Sequence, residues 1–298
     1  NCDLGEKSKH HSNKYDPELL GIVNSANIAC GYHAGDEDTM RETIKISKKN
    51  GVSIGAHPSF NDPELLGIVN SASVACGYHA GDEDTMNEVI KISKKNGVSI
   101  GAHPSFRDLE NFGRKRMNLR PEEIRSLIID QYEILQKIAY KNGENVSHIK
   151  PHGALNNMAC EDLELSKIIA ETIKDISKDL IYLVPTGSKM QLAANKLDMK
   201  IACEIFADRN YEDDGNLVSR KKSTALITDP DICKKHILKM VKNQALNCLS
   251  GKQIPCEIDS ICIHGDNESS LATAKSIKDT LIENKLELKA LNKMKKFK

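Results

Sequence analysis

The sequence contains no tryptophan, and aromatic residues make up only 4% of its 298 residues. A core must therefore be built mainly from aliphatic side chains. An excess of charge is also lacking, because 42 basic residues balance 42 acidic ones. Without net charge there is no general attraction to nucleic acid or to an acidic membrane. No apolar run approaches the roughly 18 residues of a membrane span. We therefore expect no nucleic-acid partner and no membrane association.

Signals for cysteine pairing are also lacking. The nine cysteines are odd in number, and no C-x-x-C pair occurs among them. This pattern argues against a disulfide framework and against a thiolate zinc site. We expect reduced thiols, a cytoplasmic location, and cysteines that pack as small core residues.

The chain contains one conspicuous repeat. Residues 16–61 and 62–107 match at 41 of 46 positions. Solenoid proteins need three or more units, so a single pair of near copies indicates a duplicated segment. We expect one copy to be structurally redundant. Either copy, or one strand from each, is compatible with the sequence.

Helical and strand patterns alternate along the chain. Each copy reads as helix, strand, helix, strand, with a helix opened by Asp36 in the first copy and its counterpart Asp82 in the second. Further on, Pro121 opens a long helix and the segment HIKPHGAL reads as a strand. Such alternation predicts a parallel sheet in one α/β domain over residues 1–298. The lysine-rich C-terminus reads as a solvated tail.

Polar side chains recur directly after the apolar strands. A lone histidine at such a place is more often structural, and Asp36 by itself is as readily a helix cap as a catalytic group. Arg209 has Glu204 and Asp208 as candidate ion-pair partners. Recurrence at six strands favours a shared site instead, because the carboxyl ends of parallel strands form the ligand crevice. The candidates are Asp3, Glu6, His33 with its copy His79, His57 with its copy His103, Lys150, His152, Glu204, Asp208, Arg209, His264 and Asp266.

Six motifs resemble those of the LamB/YcsF family, in the same order and over nearly the whole chain. They are NCDLGE, SANIACGYHAGD, GAHPSF with NFGRKRM, KPHGALNN, EIFADRNYEDDGNLVSR and CIHGD. The resemblance implies a seven-stranded β/α (TIM-like) barrel related to the glycoside hydrolase/deacetylase barrel. It also implies ATP-dependent hydrolysis of 5-oxoproline (pyroglutamate) to L-glutamate, with 5-oxoprolinase subunits B and C as partners.

Under this interpretation the candidate residues divide by chemistry. Lys150 and Arg209 suit the charge of a phosphate or carboxylate, so we expect them to contact ATP. Carboxylates supply oxygen ligands for Mg²⁺ or another divalent metal, with Asp3, Glu204 and Asp266 as the candidate set. The histidines are candidates for proton transfer. No Walker-type phosphate loop is present in the sequence.

Two other interpretations remain open. An Asp/His-rich rim also suits a metal-dependent deacetylase acting on an N-acetylated carbohydrate, because zinc-bound water attacks amides without ATP. Alternatively, the duplication leaves an inactive, degenerate copy of the enzyme.

Overall fold

A computed structural model describes residues 66–219, 221–263 and 270–297, together with three strands nearer the N-terminus. The chain divides into two compact units, Asn1–Asn61 and Asp62–Lys298. The division falls at the boundary between the two sequence copies. The expectation of a single domain over 1–298 stays a prediction.

The first unit contains three parallel strands, β1 (Cys2–Leu4), β2 (Ser25–Ala29) and β3 (Ser53–His57), in that order. Strand β1 pairs with β2, and β2 pairs with β3 over five residues. The helix predicted to begin at Asp36 lies outside the described residues.

The second unit contains a six-stranded parallel sheet, which confirms the predicted α/β class. Its order is β4 (Ser71–Ala75), β5 (Ser99–His103), β6 (Val146–Ile149), β7 (Ile181–Pro185), β8 (Ile201–Phe206) and β11 (Ser260–Cys262). A short antiparallel hairpin, β9 (Ala245–Asn247) with β10 (Gln253–Pro255), is inserted before β11. The described helices are α1 (Glu83–Asn96), α2 (Pro121–Lys141), α3 (Gly153–Glu161), α4 (Leu163–Ile176), α5 (Lys189–Lys196), α6 (Pro230–Asn243) and α7 (Ser270–Glu283).

The duplicated strands pair identically in the two units. Ser25 to Ala29 face Ser53 to His57 in β2 and β3, and Ser71 to Ala75 face Ser99 to His103 in β4 and β5. Both pairs of strands therefore have the same register. This is expected for near-identical sequences, because the pattern of buried side chains sets the register.

Local capping chemistry defines the ends of α1 as the sequence predicts. The Asp82 side chain accepts a hydrogen bond from the Thr85 backbone amide at 2.8 Å. Gly97 ends the helix with φ +67°, a left-handed conformation that costs glycine little. The long helix α2 begins at Pro121, also as predicted.

The core of the second unit is aliphatic, as the shortage of aromatic residues requires. Ile90, Ile128, Ile149 and Ile169 are completely buried in its largest cluster, between the sheet and helices α1, α2 and α4. Within the described part of the chain, no helix has the length and apolar character needed to cross a bilayer.

Two sequence predictions about local structure were wrong. The strand predicted over HIKPHGAL ends at Ile149, because Pro151 has no amide hydrogen for a sheet bond and α3 begins at Gly153. The C-terminus is not a solvated tail: Leu291 and Phe297 are 3% and 8% exposed, and Lys296 Nζ lies 2.6 Å from Asp259 Oδ2. Apolar residues between the lysines supply enough buried surface to hold this segment.

Gly101 in β5 provides a test of sheet packing. It faces the completely buried His148 of β6, and a Cβ atom added at Gly101 would lie 2.2 Å from two atoms of the imidazole ring. We expect Gly101→Ala to lower the free energy of unfolding by about 1–3 kcal/mol, measured by chemical denaturation. Adding His148→Ala should recover part of this loss, since it removes the clashing ring; additive losses in the double variant would contradict the assignment.

Candidate active site

The structure brings several of the predicted rim residues together at the carboxyl ends of the strands. His79 follows β4, His103 ends β5, and Lys150 and His152 follow β6; Glu204 lies in β8. Asp3 and His57 lie in β1 and β3, but their side chains are outside the described residues. Glu6, His33, His264 and Asp266 are outside them entirely.

Three histidines form a compact cluster. His152 Nδ1 lies 3.0 Å from His103 Nε2. The ring of His79 stacks on the ring of His152 with centroids 4.1 Å apart and an interplanar angle of 11°. The outer nitrogens contact backbone carbonyls: His103 Nδ1 is 2.7 Å from the Lys150 oxygen, and His152 Nε2 is 2.9 Å from the Phe112 oxygen. All three rings therefore have defined orientations.

The loop between β5 and α2 holds His152 in place. Phe112 and Gly113 both have positive φ angles, 56° and 66°, which turn the Phe112 carbonyl toward the imidazole. The Gly113 carbonyl accepts a hydrogen bond from the Ala154 amide at 2.9 Å. A Cβ at Gly113 would lie 2.1 Å from Ser105 Oγ, so only glycine allows this close approach.

Gln131 fixes the backbone just after His103. Its side chain is completely buried in α2. It accepts a hydrogen bond from the Ser105 amide at 3.0 Å and donates one to the Ser105 carbonyl at 2.8 Å. A buried amide that satisfies both backbone groups of one residue limits the motion of the segment that carries His103.

Lys150 forms a buried ion pair across the inside of the sheet. Its Nζ lies 2.5 Å from Glu204 Oε2 and donates a hydrogen bond to Cys262 Sγ at 3.1 Å. The side chains of Lys150 and Glu204 are 8% and 4% exposed. In a flat sheet β6 and β11 would stand about 14 Å apart, further than a lysine side chain reaches. The contact therefore requires the sheet to curl with this face inward.

The ion pair determines which groups carry charge at neutral pH. Burial lowers the pKa of Lys150, but its contacts with Cys262 and Glu204 outweigh burial and leave that pKa above its usual value. Burial raises the pKa of the Cys262 thiol to about 12 despite the nearby ammonium. Cys262 is therefore a thiol at neutral pH, and Glu204 is the group that balances the charge of Lys150.

Two of the histidines are neutral at physiological pH. Burial, the charge of His152 and the charge of Arg114 lower the pKa of His79 to about 2. Burial and the charges of His152, Lys150 and His79 hold the pKa of His103 well below its usual value, against the opposing effect of its bond to the Lys150 carbonyl. Neutral imidazoles retain a lone pair that can accept a proton.

Asp208 and Arg209 follow β8, and Arg209 supports a loop. Both are buried. The Arg209 guanidinium donates hydrogen bonds to the carbonyl oxygens of Val218 at 2.6 Å and Ala225 at 3.4 Å. These bonds tie the 210–226 segment to the end of β8.

The described residues also contain one group with metal-ligand geometry, formed by Cys203, Glu257 and Asp259. It lies beside the amino-terminal end of β11. The Lys296 ammonium lies 2.6 Å from Asp259 Oδ2 and 3.7 Å from Glu257 Oε2, so a cation is already supplied by the chain.

The sequence analysis did not identify several residues of the site, although some of them lie within the sequence motifs. Phe112 and Gly113 occur in the motif NFGRKRM, and the close pairing of an aromatic residue with glycine was the available signal. Cys262 occurs in CIHGD. Gln131 gave no signal, because one glutamine on the apolar face of a predicted helix does not reveal which backbone groups it contacts.

The fold and site together define a parallel α/β protein with imidazoles and a buried lysine–glutamate pair at the carboxyl ends of its strands. The profile of the LamB/YcsF family matches residues 1–67 and 61–296. The chain belongs to the LamB/YcsF family.

Individual relatives agree with this assignment. The A subunit of 5-oxoprolinase from Clostridium beijerinckii is 42% identical over 294 residues, covering 99% of this chain and 97% of the relative. The protein of the same name from Staphylococcus epidermidis is 39% identical over 291 residues, covering 98% and 97%. The crystal structure of a lactam utilization protein from Thermus thermophilus aligns with a TM-score of 0.68 at 27% identity, covering 98% of both chains.

The buried ion pair yields a stability prediction. Lys150→Met leaves the Glu204 carboxylate buried without its cation, so we expect a loss of about 3–5 kcal/mol in the free energy of unfolding. Lys150→Met with Glu204→Leu should recover much of this loss. The matched control is Lys200→Met, which breaks an exposed pair with Asp179 and should cost about 0–1 kcal/mol. Equal losses for Lys150→Met and Lys200→Met in urea denaturation would contradict the assignment.

Proposed function

We propose that this chain is the A component of an ATP-dependent 5-oxoprolinase, which opens 5-oxoproline to L-glutamate together with subunits B and C. The names of its relatives support the substrate class. The observation that carries the proposal is the contact between His103 and His152 at the carboxyl end of the sheet, with the Lys150–Glu204 pair beside it. This arrangement provides proton-transfer groups and fixed charge in one place.

The chemistry of a lactam explains why such groups are needed. The ring amide is stable toward water. In the proposed reaction ATP transfers its terminal phosphoryl group to the amide oxygen and leaves as ADP; water attacks the activated carbon, the C–N bond breaks, and hydrolysis of the resulting acyl phosphate releases inorganic phosphate. The chain must orient the lactam, remove a proton from the attacking water and return one to the departing nitrogen. The contacting imidazoles of His103 and His152 supply the ring nitrogens for the two transfers, whereas a pKa of about 2 makes His79 a weak base at neutral pH.

We assign the phosphate charge to Arg114, a cationic side chain near the histidines. The exposed guanidinium of Arg114 lies 5.0 Å from the centroid of the Phe112 ring, on the loop that holds His152. The Arg209 guanidinium, in contrast, is buried and donates to backbone carbonyls.

A divalent metal fits the described residues poorly. Glu204 is the one candidate ligand whose side chain is described. Its carboxylate lies against the Lys150 ammonium. Asp3 and Asp266 are the other members of the proposed set.

We also propose that the second copy builds the site. The loop carrying Phe112 follows the second copy directly in sequence, and only this copy continues into NFGRKRM. We further propose that a seventh strand completes the sheet as the β/α barrel that the family resemblance implies. A cytoplasmic location is supported by the cysteines of the described residues, all seven of which are free thiols.

The duplicated histidines allow a matched test of this proposal. In the complex reconstituted with subunits B and C, ATP and 5-oxoproline, His103→Asn should reduce glutamate formation by about 10²–10⁴-fold, as expected for loss of a proton-transfer group. His57→Asn alters the same position in the first copy and should leave the rate unchanged.

The opposite result, with His57→Asn inactive and His103→Asn active, would show that the first copy builds the site. If both variants keep full activity, the proposed role of this histidine position is refuted. Acetate released from an N-acetylated sugar without ATP would favour a deacetylase. Circular dichroism of both variants serves as the folding control.

A further inference from the structure

The segment over residues 291–297 lies along the amino ends of the strands of the second unit. It consists of two short 3-10 turns. Leu291 and Phe297 are buried in one cluster with Ile181 of β7 and Ala202 of β8. Ile181 is the first residue of its strand and Ala202 is the second, so the segment covers this end of the sheet.

The segment packs on the inner face of the sheet, which also carries the buried ion pair of the site. Ala202 and Glu204 are two residues apart in β8, so their side chains point to the same side. Ala202 packs against the segment, and Glu204 contacts Lys150. The segment therefore lies beneath the ion pair, toward the amino ends of the strands.

A charged contact ties one end of the segment to the start of β11. Lys296 Nζ lies 2.6 Å from Asp259 Oδ2, and Asp259 directly precedes the strand. The Cys203 amide of β8 donates a hydrogen bond to the same oxygen at 2.9 Å and holds the carboxylate in place. Burial lowers the pKa of Lys296, but the hydrogen bond to Asp259 outweighs burial and leaves that pKa above its usual value. Lys296 is therefore an ammonium at neutral pH.

The other end of the segment reaches β4. The Leu291 amide donates a hydrogen bond to Ser71 Oγ at 3.4 Å, and Ser71 is the first residue of β4. The Ser99 hydroxyl of β5 donates to the same oxygen at 2.8 Å. Strands β4 and β11 are the two outermost strands of the described six-stranded sheet. The segment therefore contacts both of them at once.

We propose that residues 291–297 form a strap that ties β11 to β4 across the amino ends of the described sheet, holds its curl and thereby positions Lys150 against Glu204 and Cys262. In a flat sheet, β4 and β11 would stand about 24 Å apart. Leu291 and Lys296 are five residues apart, about 10 Å in 3-10 geometry. Even with the length of a lysine side chain added, the strap spans only a curled sheet.

Hydrogen exchange of the full chain tests the tie, because it reports the opening of each strand separately. Lys296→Met removes the contact with Asp259. It should speed exchange in β4, at the opposite edge of the described sheet, by about 5–30-fold, as expected for loss of one charge-assisted hydrogen bond. Lys296→Arg keeps the cation and should restore the protection of β4.

The matched control for this variant is Lys289→Met. It removes a lysine that pairs with Glu287 just before the strap, and it should leave exchange in β4 unchanged. The Lys296 side chain is 39% exposed, so its replacement leaves the chain folded. Faster exchange confined to β11 and the strap would overturn the proposal, because Lys296 would then act only locally.

The reverse change tests the link to the site. Ser71→Ala removes the acceptor of the Leu291 amide at β4 and should speed alkylation of Cys262 in β11 by iodoacetamide about 2–10-fold, the effect of one neutral hydrogen bond. Burial raises the pKa of this thiol to about 12, and an opened curl exposes it to water. Ser25→Ala makes the same substitution in the first copy and serves as the matched control. Equal alkylation of Cys262 in Ser71→Ala and the unaltered chain would refute the positioning of this contact by the strap.

The effect on catalysis rests on the proposed function and is measured separately. In the complex with subunits B and C, Lys296→Met should lower kcat about 10-fold and change KM less, because misplaced groups act chiefly on the transition state. An unchanged kcat in a variant with faster exchange in β4 overturns the positioning role. If the unaltered complex forms no glutamate, the proposed function fails, while exchange and alkylation still decide the strap.

Discussion

Lys150 reaches across the inner face of the sheet to Glu204 and Cys262, and the site depends on this contact. The contact requires the parallel strands to curl, since β6 and β11 have two strands between them. Curling brings the ends of distant strands to one side. The ion pair is costly to desolvate and strongly destabilising to break, so it constrains the structure even if it adds little net stability.

Backbone carbonyls, more than other side chains, set the orientation of the rings in the histidine cluster. Carbonyls of Lys150 and Phe112 orient His103 and His152, and Gln131 fixes the backbone after His103. Each carbonyl is directed by a local feature, the end of β6 in one case and a left-handed turn in the other. A small change in this loop would therefore alter proton positions in the site without touching a histidine.

The sequence predicted the order and class of most elements for simple physical reasons. Helix α1 begins at an aspartate cap and ends at a glycine, and α2 begins at a proline; both signals act within a few residues. The β9–β10 hairpin was missed because its strands have three residues each, too few for an alternating pattern. The C-terminal segment was misread because its lysines mask Leu291 and Phe297, whose burial depends on the tertiary packing.

By itself the sequence determined the alternation of helices and strands, the aliphatic core, the duplication and the family, because these follow from local pattern and composition. It also placed acids, bases and cations after successive strands. The contacts among His79, His103 and His152, the pairing of Lys150 with Glu204 and the support of a loop by Arg209 depend on tertiary packing. Side chains from distant strands meet through the curl and register of the sheet, which no local pattern specifies.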